Sequence, residues 1–171
     1  MTTVIGGPRP PEVEALLARR RAQGLDGRDE CWGGRYYVAP HATTAHAVVA
    51  AEVGAELRAR ARGRGLVSLA EFNLGSGLQD YTVPDGGVVT GETGLYAPTA
   101  LVVLEVLSPD DATFEKFAHY AAHGVAEVLV ADPASRTVRV WQLTGGAYAE
   151  SGACRALELT MTDLAAAVAW P

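Results

Sequence analysis

One glutamate of the sequence stands where a carboxylate is costly to bury. Glu105 lies inside the aliphatic run LVVLEVL, which has the composition of a strand covered on both faces. An ionised carboxylate in such a strand needs a cation or hydrogen-bond donors beside it, because removing the bare charge from water is expensive. A strand end that opens to solvent after Leu107 would also accommodate it. Glu105 is therefore a candidate functional residue with a structural alternative.

A second acidic residue, Asp85, precedes a short apolar run in the segment VPDGGVV. Pro-Asp-Gly is a common turn tripeptide, so a turn explains Asp85 when it is taken alone. If its strand neighbours that of Glu105, however, the two carboxylates supply oxygen ligands for a hard cation such as Mg²⁺ or Mn²⁺. The pair therefore predicts a metal site more strongly than either residue does by itself.

The only lysine of the chain follows the Glu105 strand, and the other thirteen basic residues are arginine. This residue, Lys116, lies in TFEKFAHYAAHG, whose spacing predicts a helix over 113–124. At 100° per residue, the polar face of that helix carries Lys116, His119, Tyr120 and His123. The opposite face carries Phe114, Phe117 and Ala121. An exposed lysine beside Glu115 is the ordinary interpretation, but a compact ammonium differs chemically from a guanidinium.

Two histidines of this helix, His119 and His123, have the i, i+4 spacing that two ligands of one zinc ion would need. No glutamate follows the first of them as in the HExxH pattern. The sequence therefore favours polar residues that line a cleft near Lys116, or exposed ones, over a dedicated zinc site.

The order of predicted elements indicates an α/β or α+β fold, a mixed β-sheet flanked by helices. Helices are predicted at 11–23, 43–61, 113–124 and near the C-terminus. Strands are predicted at 35–39, 66–72, 100–107, 126–131 and 137–143. The segment NLGSGLQD is predicted to be a polar, glycine-rich connector, and Glu30 to lie in a loop.

Length and composition restrict the architecture and the partners. The 171 residues, 49% of them hydrophobic, predict a single domain over 1–171, with a core at about 28–143 and a C-terminal hairpin and helix at 144–171. The net charge of −6 argues against a surface that is entirely a nucleic-acid clamp, although a local basic patch remains open. The N-terminal residues show neither a signal peptide nor a membrane span, so we expect a cytoplasmic protein.

The run PDGG, followed by LVVLEVLSPDDATFEKFAHYAAHGVAEVLVADPASRTVRVWQL, resembles the bacterial Uma-type restriction endonucleases, a branch of the PD-(D/E)XK nuclease superfamily. The upstream stretch DECWGGRYYVAPHATTAHAVVAAEVGAEL is similar to the family's opening pattern, in which a glutamate precedes a strand and a histidine begins the next helix. The matches cover roughly residues 28–143, most of the predicted domain.

The resemblance implies a restriction-endonuclease-like fold and a role for each matching residue. It makes Asp85 and Glu105 the metal ligands and Lys116 the catalytic lysine. Candidate outer members of the site are Glu30, His46 and Tyr120. The simplest superfamily pattern has a lysine two residues after the acidic residue, where this chain has Leu107; the Uma-type pattern itself places the lysine on the following helix.

The implied activity is hydrolysis of DNA phosphodiester bonds with Mg²⁺ or Mn²⁺. Cleavage of both strands needs two active sites, which makes a homodimer a candidate assembly. A nuclease-fold protein that binds nucleic acid, or serves as a structural module, without catalysis is the alternative. The sequence pI near 5.2 and the lack of a separate DNA-recognition domain keep that alternative open.

Overall fold

The structure is a computed structural model that describes residues 2–91, 94–109 and 112–171. Asp110 and Asp111, which belong to the family-like run, lie outside the described residues. Within the described ranges the strands are β1 (Thr3–Ile5), β2 (Glu30–Trp32), β3 (Arg35–Val38), β4 (Val67–Leu69), β5 (Leu74–Gly77), β6 (Asp80–Thr82), β7 (Gly86–Val89), β8 (Val102–Val106), β9 (Glu127–Asp132), β10 (Thr137–Thr144), β11 (Ala147–Ser151), β12 (Ala153–Cys154) and β13 (Leu159–Thr160).

The helices form close to where the sequence predicts them. They are α1 (Pro11–Ala22), α2 (Thr44–Arg62), α3 (Phe117–Ala122) and α4 (Met161–Ala167). α2 begins at Thr43, whose hydroxyl accepts a hydrogen bond from the backbone N–H of His46 at 3.2 Å. It ends at Gly63. None of the helices in the described ranges is both long and apolar enough to cross a bilayer.

Most strands belong to two sheets. The smaller sheet has the order β1-β3-β2-β6-β5 and is antiparallel throughout. The larger sheet has the order β11-β10-β9-β8-β7-β4 and is mixed, because β8 and β9 run parallel. A parallel pair needs a crossover, and the segment between these two strands contains α3. The remaining strands, β12 and β13, pair with each other.

Side chains of β8 alternate between two apolar clusters. Val102, Leu104 and Val106 pack in a cluster with residues of α2 and α4. Val103 belongs to the cluster on the other face, which also contains Tyr120 of α3 and Leu74 of β5. Because successive strand residues point to opposite faces, Glu105 lies on the same face as Val103, toward α3.

The segment predicted to be a connector is instead the β5–β6 hairpin, and Glu30 lies in β2 rather than in a loop. Short strands rich in glycine carry little hydrophobic alternation, which is why the sequence pattern missed them. The close approach of the two strands needs a glycine at position 75. A Cβ added there would lie 2.1 Å from the carbonyl oxygen of Asp80.

The segment predicted as a helix over 113–124 forms in two parts. Thr113–Lys116 is a 3₁₀ turn, and α3 continues from Phe117 to Ala122. Its polar face packs inward: Lys116, His119 and Tyr120 are buried, whereas Phe114 is 48% exposed. The hydrogen bonds of these polar groups explain why that face is buried.

Candidate active site

Glu105 is at the centre of a buried polar cluster. Its side chain is 4% exposed, and its Oε1 accepts hydrogen bonds from the Lys116 ammonium at 3.0 Å and from the Tyr120 hydroxyl. Burial raises the pKa of Glu105 to about 8, with smaller contributions from the negative charges of Asp85 and Glu30, while Lys116 opposes the shift. The Glu105 carboxylate is buried and hydrogen-bonded within the protein, so the alternative of a strand end that opens to solvent is wrong.

Lys116 joins two carboxylates that are far apart in the sequence. Its Nζ donates to Oε1 of Glu30 at 2.9 Å and to Oε1 of Glu105 at 3.0 Å. Burial alone would lower the pKa of Lys116, but Glu105 and Glu30 outweigh it and raise that pKa well above the ordinary value. The lysine is therefore a buried ammonium, and the exposed-lysine interpretation is wrong.

Asp85 lies next to Glu105 across the β7–β8 ladder. The register that pairs Gly86 with Leu104 places Asp85 opposite Glu105, with both side chains on the same face. The Oδ2 atom of Asp85 accepts from the backbone N–H of Val106 at 2.8 Å. Asp85, immediately before β7, and Glu105 in β8 are therefore neighbours, the condition that a shared metal site requires.

His46 and Arg28 hold the other oxygen of Asp85. Oδ1 lies 2.8 Å from Nε2 of His46 and 3.1 Å from the guanidinium of Arg28. The Nδ1 atom of His46 lies 3.0 Å from the hydroxyl of Ser108, so both ring nitrogens have partners that fix the orientation of the ring. The first turn of α2 thus positions the histidine against Asp85.

Glu30 connects the smaller sheet to this cluster. In addition to Lys116, its Oε1 accepts from the backbone N–H of Val83 at 2.8 Å, and its Oε2 accepts from the indole N–H of Trp32 at 3.0 Å. The Trp32 ring is stacked on Tyr37, with ring centroids 4.3 Å apart. Glu30 is thereby rigidly held, and through Lys116 it connects β2 to β8.

The six site residues that the family resemblance implies form two neighbouring hydrogen-bonded groups, one of Glu30, Lys116, Glu105 and Tyr120 and one of His46 and Asp85, and the bond from the Val106 backbone N–H to Asp85 brings the second group to β8. Sequence analysis missed Arg28, which also pairs with Glu71 at 2.8 Å. An arginine before a short strand gives no signal by itself in a chain with thirteen arginines.

A cavity opens beside Asp85. It has a volume of about 360 Å³, and its lining includes Arg28, His46, Arg58, Glu71 and Asp85. A phosphate group that enters it would meet two guanidinium groups and reach a carboxylate of the cluster. The cavity thus gives solvent access to the Asp85 and His46 side of the site.

The carboxylate oxygens of the site fit a hard divalent cation. Asp85 and Glu105 offer carboxylate oxygens, the ligands that Mg²⁺ and Mn²⁺ prefer. Both hydrogen bonds of Glu105 go to Oε1, and no donor in the described part of the chain bonds to its Oε2. That oxygen is available to a cation. Burial first, and then the nearby charges of Asp85 and Glu30, raise the pKa of Glu105, so a cation bound there would stabilise its ionised form.

The fold, a mixed β-sheet flanked by helices, is also found in a solved structure. The structure is similar to the crystal structure of a protein from Anabaena variabilis described as a "putative nuclease belonging to DUF820", with a TM-score of 0.65 and 20% sequence identity. The match covers 82% of this chain and 90% of that one. The predicted fold class is thereby confirmed.

The chain belongs to the Uma2 family, whose model is described as "Putative restriction endonuclease" and matches residues 12–169. The resemblance found in the sequence is therefore confirmed. Among curated proteins, no match was found. Family and fold together support a nuclease function in general.

Proposed function

We propose that this protein is a divalent-metal-dependent endonuclease that hydrolyses DNA phosphodiester bonds, with Asp85 and Glu105 as metal ligands and Lys116 as the catalytic lysine. The observation that carries the proposal is the buried Lys116 ammonium, held within 3.0 Å of carboxylates from two different sheets. An ion pair of this kind is expensive to desolvate and contributes little net stability, so a role in catalysis accounts for it better.

The residues of the cluster divide the work between binding and positioning. Asp85 and Glu105 would hold a Mg²⁺ or Mn²⁺ ion, which when bound would polarise the scissile phosphodiester and lower the pKa of a water. Lys116 orients the attacking water and offsets the negative charge on the phosphoryl oxygens as the new O–P bond forms and the P–O bond to the leaving sugar oxygen breaks. Glu30 and Tyr120 position Lys116 and Glu105, while His46 positions Asp85.

The surface around the site suits a phosphodiester chain only locally. The protein carries a net charge of −6, so attraction to DNA must come from particular residues and from the bound cation. Arg28 and Arg58 line the cavity beside Asp85 and supply positive charge where a phosphate would enter. We expect modest affinity for DNA without a divalent cation and tighter binding with it.

The test compares the purified protein with Asp85→Asn, Glu105→Gln and Lys116→Ala. Cleavage of supercoiled plasmid is measured with Mg²⁺ and with Mn²⁺, and metal binding is measured by calorimetry. We expect each variant to lose cleavage by about 100-fold or more. The two carboxylate variants should lose metal binding, whereas Lys116→Ala should bind the metal and fail to cut, because the lysine is not a ligand.

Glu115→Gln is the matched control, because it removes an exposed carboxylate next to Lys116 in the sequence and should cleave like the wild type. Circular dichroism establishes that each variant is folded. A wild type that binds neither metal contradicts the proposal and favours a nuclease-fold module that only binds nucleic acid. A single-stranded RNA substrate in parallel tests the choice of DNA.

A further inference from the structure

Asp80, His119 and His123 form a second cluster of ligand atoms, with neither of its histidines bonded to the carboxylates of the candidate active site. The Nδ1 atom of His119 lies 3.4 Å from Oδ1 of Asp80, and Nε2 of His123 lies 3.1 Å from Oδ2. One ligand atom from each residue lies within 4.8 Å of the other two. Asp80 begins β6, whereas both histidines belong to the α3 segment, so tertiary structure brings them together.

The outer nitrogens of both rings are held by backbone carbonyls. Nδ1 of His123 lies 3.1 Å from the carbonyl oxygen of Pro98, and Nε2 of His119 lies 3.5 Å from that of Leu74. A carbonyl only accepts, so these nitrogens carry the proton of a neutral ring. The other nitrogens then direct lone pairs at the Asp80 carboxylate. Three electron-rich groups that face one another are stabilised either by protons on the rings or by one cation between them.

This arrangement is the one that metal-binding histidines use in proteins. A histidine ligand almost always donates its second N–H to a carbonyl or carboxylate, which fixes the tautomer and the direction of the ring. Asp80 is oriented as well, because its Oδ2 accepts from the hydroxyl of Ser76 at 2.7 Å. Each of the three groups therefore has its own supporting contact.

The dimensions and exposure suit a small transition-metal ion. In a tetrahedral site with bonds of about 2.0–2.1 Å, neighbouring ligand atoms are roughly 3.3 Å apart. Each imidazole is at about this distance from the Asp80 carboxylate, His119 from Oδ1 at 3.4 Å and His123 from Oδ2 at 3.1 Å. For one ligand atom per residue, the separations are within 4.8 Å. The histidine side chains are 7% and 14% exposed, but that of Asp80 is 44% exposed. An ion can therefore enter from the Asp80 side and keep water as a fourth ligand.

We propose that Asp80, His119 and His123 bind a zinc ion that ties the β5–β6 hairpin to α3. Two imidazoles and one carboxylate favour Zn²⁺ over Mg²⁺, which prefers oxygen ligands and an octahedral shell. The ion holds in place the helix that carries Tyr120 and follows directly after Lys116. It is thus distinct from the magnesium or manganese of the proposed nuclease reaction, and the proposal does not depend on that reaction.

The test uses full-length protein freed of metal with a chelator and then titrated with Zn²⁺, with Co²⁺ as a spectroscopic probe. We expect one Zn²⁺ per chain and visible absorption of tetrahedral Co²⁺. The melting temperature should rise by roughly 5–10 °C once free Zn²⁺ is about 100-fold above its Kd. Mg²⁺ at the same concentration should neither reduce the absorption of tetrahedral Co²⁺ nor displace Zn²⁺.

Two single substitutions locate the ion. Asp80→Asn and His123→Ala should each weaken Zn²⁺ binding by at least about 100-fold, since even loss of a supporting contact costs 10–100-fold. His41→Ala is the matched control, because His41 is an exposed histidine elsewhere in the chain. Asp85→Asn should keep the Zn²⁺ site while losing plasmid cleavage, which separates the two proposals.

Two outcomes overturn the inference. One is a wild type that shows no Zn²⁺-dependent rise in melting temperature and no tetrahedral Co²⁺ spectrum; the cluster is then an ordinary ion pair between Asp80 and protonated histidines. The other is Zn²⁺ binding that survives in both Asp80→Asn and His123→Ala. Since both substituted residues are partly exposed, circular dichroism of the metal-free variants distinguishes loss of the ion from loss of the fold.

Discussion

One ammonium serves two buried carboxylates in this protein, so the residues of the candidate active site are not neutral as a set. Lys116 contacts both Glu30 and Glu105, and Asp85 adds a further negative charge beside Glu105. Burial disfavours the ionised carboxyl of Glu105, and the negative charges of Asp85 and Glu30 add to this effect. Together they raise its pKa to about 8, so the metal-free site favours the protonated carboxyl. A divalent cation and a proton compete for the same carboxylate.

This competition predicts how the stability of the metal-free protein depends on pH. The folded-state pKa of Glu105 is above its ordinary value of 4.5, so its contribution is fully present below about pH 4.5 and is lost as pH rises through 8. The free energy of unfolding of wild type minus that of Glu105→Gln should fall across this window, by on the order of 1 kcal/mol per pH unit at most. Urea unfolding of both proteins in the presence of a chelator, at several pH values, measures this difference in the free energy of unfolding.

Saturating Mg²⁺ supplies the control for this pH dependence. A bound cation favours the ionised carboxylate in the folded state, as water does in the unfolded state, so the difference between wild type and Glu105→Gln should then no longer fall between pH 4.5 and 8. A difference that is flat in both conditions contradicts the assignment of Glu105 as a proton-binding metal ligand.

The sequence predicted the central residues of the cluster for two physical reasons. A charged residue within an aliphatic strand, as at Glu105, and a lone lysine in an arginine-rich chain are both unusual enough to be noticed. Asp80 and Arg28 have no such signal, because acidic and basic residues are common in turn-rich segments. Their partners lie far away in the sequence, and only the fold brings them into contact.

At the scale of elements, prediction succeeded where hydrophobic periodicity is long. The nineteen residues of α2 and the aliphatic β8 carry many matching positions, and both form as expected. The short strands β1, β2, β5 and β6 carry only three or four residues each and were missed. Their pairing depends on contacts across the sheet rather than on local pattern.

The β5–β6 hairpin offers a sharp test at this scale through two of its glycines. Gly75 and Gly77 share a φ of +156°, so alanine at either position meets the same backbone strain. At Gly75 a Cβ would also lie 2.1 Å from a backbone oxygen of Asp80, whereas at Gly77 nothing lies within 4 Å. We expect Gly75→Ala to lower the free energy of unfolding by more than about 3 kcal/mol and Gly77→Ala by about 1–2 kcal/mol.

Chemical denaturation of both variants decides the matter. Because the hairpin carries Asp80, the Gly75 variant should also bind Zn²⁺ more weakly if the second cluster holds that ion. Equal losses of stability in the two alanine variants would show that backbone conformation, and not the close approach of the strands, makes glycine necessary at position 75.

At the scale of the whole molecule, the candidate active site lies where the two sheets meet. The smaller sheet contributes Glu30, the larger contributes Glu105, and Lys116 bonds to both. The smaller sheet has its own apolar cluster, which includes Leu17 of α1 and Tyr36. Its integrity therefore determines whether Glu30 reaches Lys116. Sequence periodicity does not report such a junction, because the two sheets are joined by residues that are distant in the chain.

Asp29 is the residue on which we expect this junction to depend most. It is fully buried next to Glu30 in the chain, and it accepts hydrogen bonds from the guanidinium of Arg20, the hydroxyl of Tyr36 and the backbone N–H of Ala39. Asp29→Ala leaves these donors without their acceptor. It should lower the free energy of unfolding by about 2–4 kcal/mol, because the buried Tyr36 hydroxyl and the Ala39 N–H lose their acceptor, whereas the partly exposed Arg20 guanidinium can turn to water.

A more exposed ion pair, between Arg21 of α1 and Asp26 beyond its end, provides the comparison. Arg21 lies 3.4 Å from Asp26, and both side chains are partly exposed, at 45% and 22%. Arg21→Ala should therefore change the free energy of unfolding by less than about 1 kcal/mol. Urea unfolding measures the free energy of unfolding of both variants. Plasmid cleavage below the unfolding transition shows whether the activity of the site depends on the integrity of the smaller sheet. We expect Asp29→Ala to lose cleavage along with stability and Arg21→Ala to lose neither; equal stability in the two would mean that the Asp29 network does not hold the smaller sheet against the site.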